Sequence, residues 1–533
     1  MHIRSPLILA TIVIACSTSI HQWHRADSRP PLQDEAIRLR ASLHCLDDLQ
    51  RPIAERFSSL ALKSFDHSPP LLYFITLPFY LMAGTDRGAA GMINAFFVAV
   101  LILSIYGIGR RLYTETAGLI AAALTASYPA IVGLSKFYLA DVPETAMAAL
   151  VAYAALRAKA APRPSWSVLL GLACGAGLLI SWGFIIYFVG PLAYLLASSE
   201  RKLISTSSLA ARRRNLLFGA GAAALIAGPW YVIHLPEMTS ALGGVRWGFP
   251  SATAFFKSLI FYPCAFIATL RLPMTLLFLA GLVAVLMRRK TILLPALWLL
   301  VPMALLLPVR QKTPLALTPV LPAAALLTAA GITMVRTAPV RRGLTWVAMV
   351  VGALNFIALN FGLPWGMGAR VLAVPLLGRK CASCIKHAGE TSHSRTTLRS
   401  IGPPRREDWA LKDILSDVAA LGEGTPERKA ALGWFIAHHP RFNRYSLLYY
   451  IDQGKYPIEW ARPDEAAFIL SRLVTDRQRL QFDEWGKTWA LLQEIRRYPL
   501  PDGSEAVLYR VSTSRRRHYE ASNLPLDTGE KGV

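Results

Sequence analysis

Between Arg87 and Thr391 the chain holds six carboxylates, Glu115, Asp141, Glu144, Glu200, Glu237 and Glu390, while one apolar stretch follows another. A region that excludes acids this strongly is built for a bilayer, where a span needs roughly 20 apolar residues, fewer when its ends are interfacial. Spans are read at Leu7–Ile20, Ala90–Ile108, Ala117–Leu134, Val142–Leu156, Ser167–Trp182, Phe184–Ala197, Leu216–Ile233, Pro273–Met287, Ile292–Leu307, Pro314–Val335 and Leu344–Leu363. Met1–Ile20 resembles a signal sequence but lacks a small-residue cleavage site, so it is taken as an uncleaved first span. The stretch Pro69–Ala83 is short and proline-flanked, and reads as an interfacial or re-entrant helix.

The loops set the orientation. Arg4, Arg110-Arg111, Arg157/Lys159/Arg163, Arg201-Lys202 with Arg212-Arg213-Arg214, Arg288-Arg289-Lys290 and Arg336 with Arg341-Arg342 fall on one side. By the positive-inside rule that side is cytoplasmic. The expected protein is therefore multi-pass in the inner (plasma) membrane, with a cytoplasmic N-terminus. The outer side receives the loop Ile20–Pro69, the turn bearing Asp141, the loop His234–Leu272, and Arg310-Gln311-Lys312. The same clustering explains the net charge of +24 as membrane anchoring and argues against a nucleic-acid partner.

After Leu363 the composition turns polar. The expected organisation is a transmembrane domain over 1–363 with a first outer loop at 21–69, an extracytoplasmic α/β domain over 364–512, and a disordered basic tail at 513–533. Within the second domain Glu407–Leu421 looks amphipathic and Ala430–Ala437 extended, while Tyr445–Gly454 and Asp464–Leu473 read as helices. An Asp-Gly turn at Asp502-Gly503 joins a hairpin. Cys381-x-x-Cys384, with His387 and His393 nearby, is read as a disulfide in an outer compartment, with free thiols or a metal as alternatives.

A few carboxylates beside one membrane face invite a chemical reading. Asp34-Glu35, Asp66 and Asp141 all fall on the outer side. A partly desolvated carboxylate has raised proton affinity and suits a general base. Asp34 is the candidate base, Glu35 a group that orients it or helps to bind a metal, and Asp141 a group that binds the acceptor or positions the base. The competing reading makes Asp34-Glu35 the N-terminal cap pair of an interfacial helix and Asp141 the cap of a span whose first turn carries Pro143. Asp66-His67-Ser68-Pro69-Pro70 is a turn whose histidine either contacts phosphate or metal or is structural. A phosphate would need cations on the same face, from among Lys63, Lys136, Arg246, Lys257, Arg271, Arg310 and Lys312. Lys312, at the end of a span, leads that set, the alternative being that it snorkels to headgroups.

Taken together, several motifs resemble glycosyltransferase family 39 of the GT-C superfamily, which includes protein O-mannosyltransferases and the bacterial aminoarabinose transferase of lipid A. They are Asp34-Glu35 after the first span, His67-x-Pro69-Pro70-Leu71-x-Tyr73, Gly109-Arg110-Arg111-Leu112-Tyr113, Ala140-Asp141-Val142-Pro143, Gly228-Pro229-Trp230-Tyr231, and Lys312-x-Pro314 with Pro319-x-x-Pro322. Tyr498-Pro499-Leu500-Pro501-Asp502-Gly503-Ser504 is a looser match to the end of the bacterial members' soluble domain. The resemblance implies a helical polytopic GT-C protein of about eleven spans with a small C-terminal α/β domain. It implies a polyprenyl-phosphate-linked sugar donor and inverting transfer to a glycan, lipid or protein acceptor at the outer face. Asp34 would be the base, with Glu35 and Asp141 at the other acidic positions. From the residues on the same face, Lys312, Arg310, Arg271 and His67 are the candidates for the donor phosphate, and Asp66 for binding or positioning the acceptor. No organic cofactor is implied, and a divalent metal is left open. The chain departs from the family pattern twice: Leu315-Ala316 stand where Arg-Tyr often follows Lys-x-Pro, and Ser181-Trp182-Gly183 stand where a lysine often follows the fifth span. Those losses set up a rival expectation, a non-catalytic polyprenyl-lipid binder or carrier.

Overall fold

The computed structural model describes residues 4–52, 68–160, 163–197, 206–244, 248–249, 251–287, 292–362, 397–422, 429–436, 439–462, 465–474, 478, 480, 482 and 491–512. Asp66, His67, the Cys381/Cys384 pair and the tail from 513 lie outside those residues. The chain divides into two compact units, Met1–Arg406 and Glu407–Val533.

The first unit is helical. Its elements are α1 (Arg4–Ala26), α2 (Gln33–Leu49), α3 (Leu71–Ala83), α4 (Arg87–Gly91), α5 (Ile93–Leu112), α6 (Glu115–Ser127), α7 (Pro129–Leu134), α8 (Asp141–Ala160), α9 (Pro164–Ile180) and α10 (Ile185–Ala197). They continue with α11 (Thr206–Ile233), α12 (Leu235–Gly244), α13 (Ala252–Leu270), α14 (Leu272–Met287), α15 (Leu293–Leu306), α16 (Leu321–Met334) and α17 (Ala338–Asn360). Among the described residues, six stretches are long and apolar enough to cross a membrane: Ser5–Ala26, Arg87–Leu112, Arg213–Ile233, Ala252–Leu270, Pro314–Met334 and Ala338–Asn360. Shorter apolar helices, among them α3, α9, α14 and α15, accompany them. Glycines let some of these helices touch backbone to backbone: a Cβ on Gly171 would collide with the carbonyl of Gly219, and one on Gly331 with Gly281. Close approach through small residues is how helices pack where lipid removes the hydrophobic drive between them.

Two features of this unit are visible only in the structure. The loop His234–Leu272 is not irregular but holds α12 and α13, the second apolar along most of its length. Gly248 N donates to Pro308 O at 2.9 Å and Tyr262 Oη to Leu306 O at 2.8 Å, so the first half of α13 stays at the level of the 306–308 turn. Residues 397–406 also pack with the first unit, beyond the composition change at 363: Trp23 Nε1 donates to Gly402 O at 3.0 Å and Ser28 N to Arg405 O at 3.1 Å.

The second unit is a five-stranded sheet, order β2-β1-β3-β5-β4, with α18 (Leu411–Leu421) and α19 (Arg444–Gly454). Its strands are β1 (Ala430–Ile436), β2 (Ile458–Trp460), β3 (Phe468–Arg472), β4 (Leu491–Pro499) and β5 (Glu505–Ser512). β1 lies parallel to β2 and β3, and β5 is antiparallel to both β3 and β4. The helix expected over Asp464–Leu473 is instead the central strand β3. All five of its residues are buried, and a strand covered on both faces reads as a continuous apolar run that periodicity does not separate from a buried helix. The core between sheet and helices collects Leu411, Ile414, Leu415, Val418, Leu432, Leu447, Phe468, Leu470 and Leu508.

Candidate active site

Helix α2 starts with both acids of the Asp34-Glu35 pair in its first turn. Negative charge there is favoured by the helix dipole, and Glu35 Oε2 also accepts from Leu32 N at 3.3 Å. The two carboxylates then diverge. Glu35 is fully buried and holds Arg87 in a two-pronged ion pair, with Nε to Oε1 at 2.8 Å and Nη2 to Oε2 at 2.9 Å. Arg87 also reaches Asp27 at 3.1 Å, and Asp27 pairs with Arg29 at 2.6 Å. Both guanidinium groups lie over the Trp23 ring, 5.4 and 5.7 Å from its centroid.

Glu35 has one further partner, and it places the site. Its Oε1 accepts from Tyr138 N at 3.2 Å, which pins the start of α2 to the turn leading into α8. Thr76 Oγ1 and Tyr138 Oη, 2.7 Å apart, and Ser42 Oγ and Tyr80 Oη, 2.6 Å apart, fix α3 against the same frame. Asp34 thereby comes within electrostatic range of Asp141, the first residue of α8.

One helical turn past Asp34 stands Arg38, and one turn into α8 stands Glu144. Asp34, Arg38, Asp141 and Glu144 are half-exposed, whereas Glu35, Ala36, Leu39, Val142, Pro143 and Thr145 around them are buried. Burial draws the Arg38 guanidinium down, but Tyr73 and the carboxylates of Asp141, Asp34 and Glu144 outweigh it and leave the group above its ordinary value. Ser181 lies within interaction range of the Glu144 carboxylate, and Tyr187 stands within electrostatic range of Glu144, Asp141 and Tyr262. The Tyr187 hydroxyl donates to Ala316 O at 3.0 Å. Of the two positions where the chain departs from the family pattern, 181 lies beside Glu144, and 316 is joined to Tyr187 through its backbone carbonyl.

The cations are spread more widely. Lys312 is 3 % exposed, donates to Leu307 O at 3.0 Å and Val309 O at 2.7 Å, and lies 5.3 Å from the Tyr262 ring centroid. Burial lowers its ammonium to about 8. Arg310, on the same loop, is exposed. Arg271 joins α13 to α14 with φ at 64°, a region L-residues rarely enter, and its Nη1 is buried without a hydrogen-bond partner among the described residues. Lys136 is 2 % exposed and bonded to Ser19 Oγ at 3.3 Å, away from the carboxylate cluster. No group of three or more His, Cys, Asp or Glu side chains placed to hold a metal occurs among the described residues.

Sequence reasoning singled out Asp34, Glu35 and Asp141 but missed Arg38, Glu144, Ser181 and Tyr187. The spacing offered a signal for two of them: Arg38 lies at i+4 from Asp34 and Glu144 at i+3 from Asp141, the same helix faces.

Residues 66–229 match the family described as dolichyl-phosphate-mannose-protein mannosyltransferase. No curated protein matches the chain by sequence. Among solved structures, ArnT from Cupriavidus metallidurans bound to undecaprenyl phosphate superposes with a TM-score of 0.60 at 15% identity, covering 95% of this chain and 98% of that one. The apo state of the same protein gives a TM-score of 0.60 at 15% identity, with 94% and 97% covered. The oligosaccharyltransferase of Archaeoglobus fulgidus with a tethered acceptor peptide gives 0.49 at 12% identity, covering 95% of this chain and 74% of that one. The chain is a multi-span membrane protein with the fold of the GT-C glycosyltransferases, and residues 66–229 carry the match to its mannosyltransferase family.

Proposed function

We propose that this protein transfers a sugar from a polyprenyl-phosphate-linked donor to an acceptor hydroxyl at the outer face of the plasma membrane, with inversion at the anomeric carbon. The observation that carries the reading is the half-exposed cluster of Asp34, Asp141 and Glu144 around Arg38, beside a run of apolar helices with few carboxylates. The undecaprenyl phosphate bound to the ArnT structure supports a lipid-linked donor. Orientation follows from the Arg/Lys clusters, which put the N-terminus in the cytoplasm and the second unit outside.

In this mechanism Asp34 takes the proton from the acceptor hydroxyl as its oxygen attacks the anomeric carbon. Asp141 and Glu144 fix the acceptor and the Arg38 guanidinium. Glu35 acts through the frame: by holding Arg87 and the Tyr138 amide it sets the distance between α2 and α8. Cations on the leaving side, drawn from Lys312, Arg310, Arg271 and His67, stabilise the departing phosphate, and electrostatic stabilisation of that kind is usually the largest single contribution. Asp66 is assigned to binding or positioning the acceptor. The test is transfer in proteoliposomes from a radiolabelled polyprenyl-phosphate sugar to envelope extract. The wild type should label a product, and Asp34→Asn should not while still inserting and folding.

One observation favours a second reading. The Lys312 ammonium is already occupied by two backbone carbonyls, which suits a lipid-binding protein without turnover. Retention of labelled lipid with no product in the same assay would support it.

A further inference from the structure

The second unit contains a cluster that glycosyl transfer in the membrane unit does not use. β1 runs into α19 and back to β2 on one side of β1, and the chain then crosses to β3 on the other. In open sheets with parallel strands, ligands bind beyond the carboxyl ends of the strands, where the strand order reverses. That end of this sheet carries Trp434 near the close of β1 and Trp460 at the close of β2, with Arg444 as the first residue of α19.

The two indoles are in ring contact at an interplanar angle of 34°, and both are half-exposed. The Arg444 guanidinium carbon lies 5.8 Å from the Trp434 ring centroid and 5.4 Å from that of Trp460. Asn443, next to it, caps α19 by accepting from Tyr445 N at 2.9 Å and Ser446 N at 3.1 Å, which fixes the backbone from which Arg444 projects. Arg444 is exposed, and its guanidinium makes no hydrogen bond or ion pair with any described residue. Stacking on two indoles therefore orients a cation whose hydrogen-bonding fork is still available.

We propose that Trp434, Trp460 and Arg444 form a binding site for a sugar that carries a phosphate or carboxylate group. The indoles offer a flat apolar surface to the C–H face of the sugar ring. The guanidinium takes the anionic group by charge-assisted hydrogen bonds. The site lies wholly within the second unit and is read by binding alone, so it stands or falls independently of the transfer reaction.

The experiment is saturation-transfer NMR on the full-length protein in nanodiscs, with glucose 6-phosphate, glucose and inorganic phosphate as probes. The expected result is saturation of the ring protons of glucose 6-phosphate, at least tenfold weaker binding in Arg444→Gln, and loss of ring-proton transfer in Trp460→Ala. Asp34→Asn should keep the full signal. Arg444→Gln is an exposed change, so it reports on the site even where Trp460→Ala loosens the sheet. Unchanged binding in Arg444→Gln would overturn the proposal. So would equal affinity for inorganic phosphate, which means an anion site without a sugar platform, or loss of the signal in Asp34→Asn, which would put the binding in the membrane unit.

Discussion

The two faces of α2 treat charge in opposite ways. On one face Glu35 joins Arg87, Asp27 and Arg29 in a network sealed from solvent, where every charge has a partner of opposite sign. On the other, one turn holds Asp34 and Arg38 half-exposed, facing Asp141 and Glu144, with three carboxylates to one guanidinium. A matched, buried network fixes geometry, whereas the second is accessible and rich in carboxylates. In the proposed mechanism, two adjacent acids in one sequence motif divide into a strut and a reacting group.

The sealed side should break hardest. Arg87→Met leaves the buried Glu35 carboxylate without its ion-pair partner and Asp27 with Arg29 alone, a loss of about 3–5 kcal/mol. Thermal unfolding of the purified protein should show it as a large drop in Tm, and Glu35→Gln should cost less because it removes the charge but keeps the shape.

Lys136 sharpens the contrast, because it is buried with a hydroxyl rather than a carboxylate as partner. Burial lowers its ammonium to about 7 from 10.5. Between those values the unfolded chain holds more protons than the folded one, so stability rises with pH across that window. Below pH 7 the cost of burying the charge is fully present. Lys136→Met should remove this slope and raise Tm at pH 6 by an amount on the order of a few kcal/mol in stability. A Tm of the wild type that stays flat from pH 7 to 10 would contradict the assignment.

On the open side, Arg38→Gln should lower kcat about ten- to a hundredfold with little change in Tm. Without the guanidinium, the Asp141 carboxylate loses a neighbour that lowers its proton affinity, so the pH dependence it imposes on the rate should move to higher pH. Arg38→Lys should restore part of both. A purely structural Arg38 would change Tm and leave the profile in place. The smallest effect concerns Lys312, which loses its proton near pH 8. If it contributes to phosphate binding, affinity for a polyprenyl phosphate should fall severalfold from pH 7 to 9, and Lys312→Gln should abolish that dependence.

The sequence made the membrane unit legible because its signals are local: apolar runs, Arg/Lys clusters and the Asp34-Glu35 and Asp141 motifs each lie within a few residues. What it concealed depends on pairs far apart in the chain. The split between Asp34 and Glu35 arises from Arg87 and the Tyr138 amide, 52 and 103 residues away, and no periodicity encodes those contacts. Arg38 had the right spacing from Asp34, but a basic residue on a short polar helix reads as a solvated face until α8 is placed opposite it. β3 was misread as a helix because burial on both faces erases the alternation that marks a strand. α13 was hidden inside a loop because its apolar run is broken by Lys257 and Pro263.

The central claim is that Asp34 carries out chemistry while Glu35 holds the frame. It is tested most directly by comparing Asp34→Asn and Glu35→Gln side by side in proteoliposomes, scoring transfer from a labelled polyprenyl-phosphate sugar together with Tm. The account predicts that Asp34→Asn keeps its Tm and loses transfer by about a thousandfold or more, whereas Glu35→Gln loses Tm and keeps transfer in whatever fraction stays folded. Near-normal transfer by Asp34→Asn would contradict it.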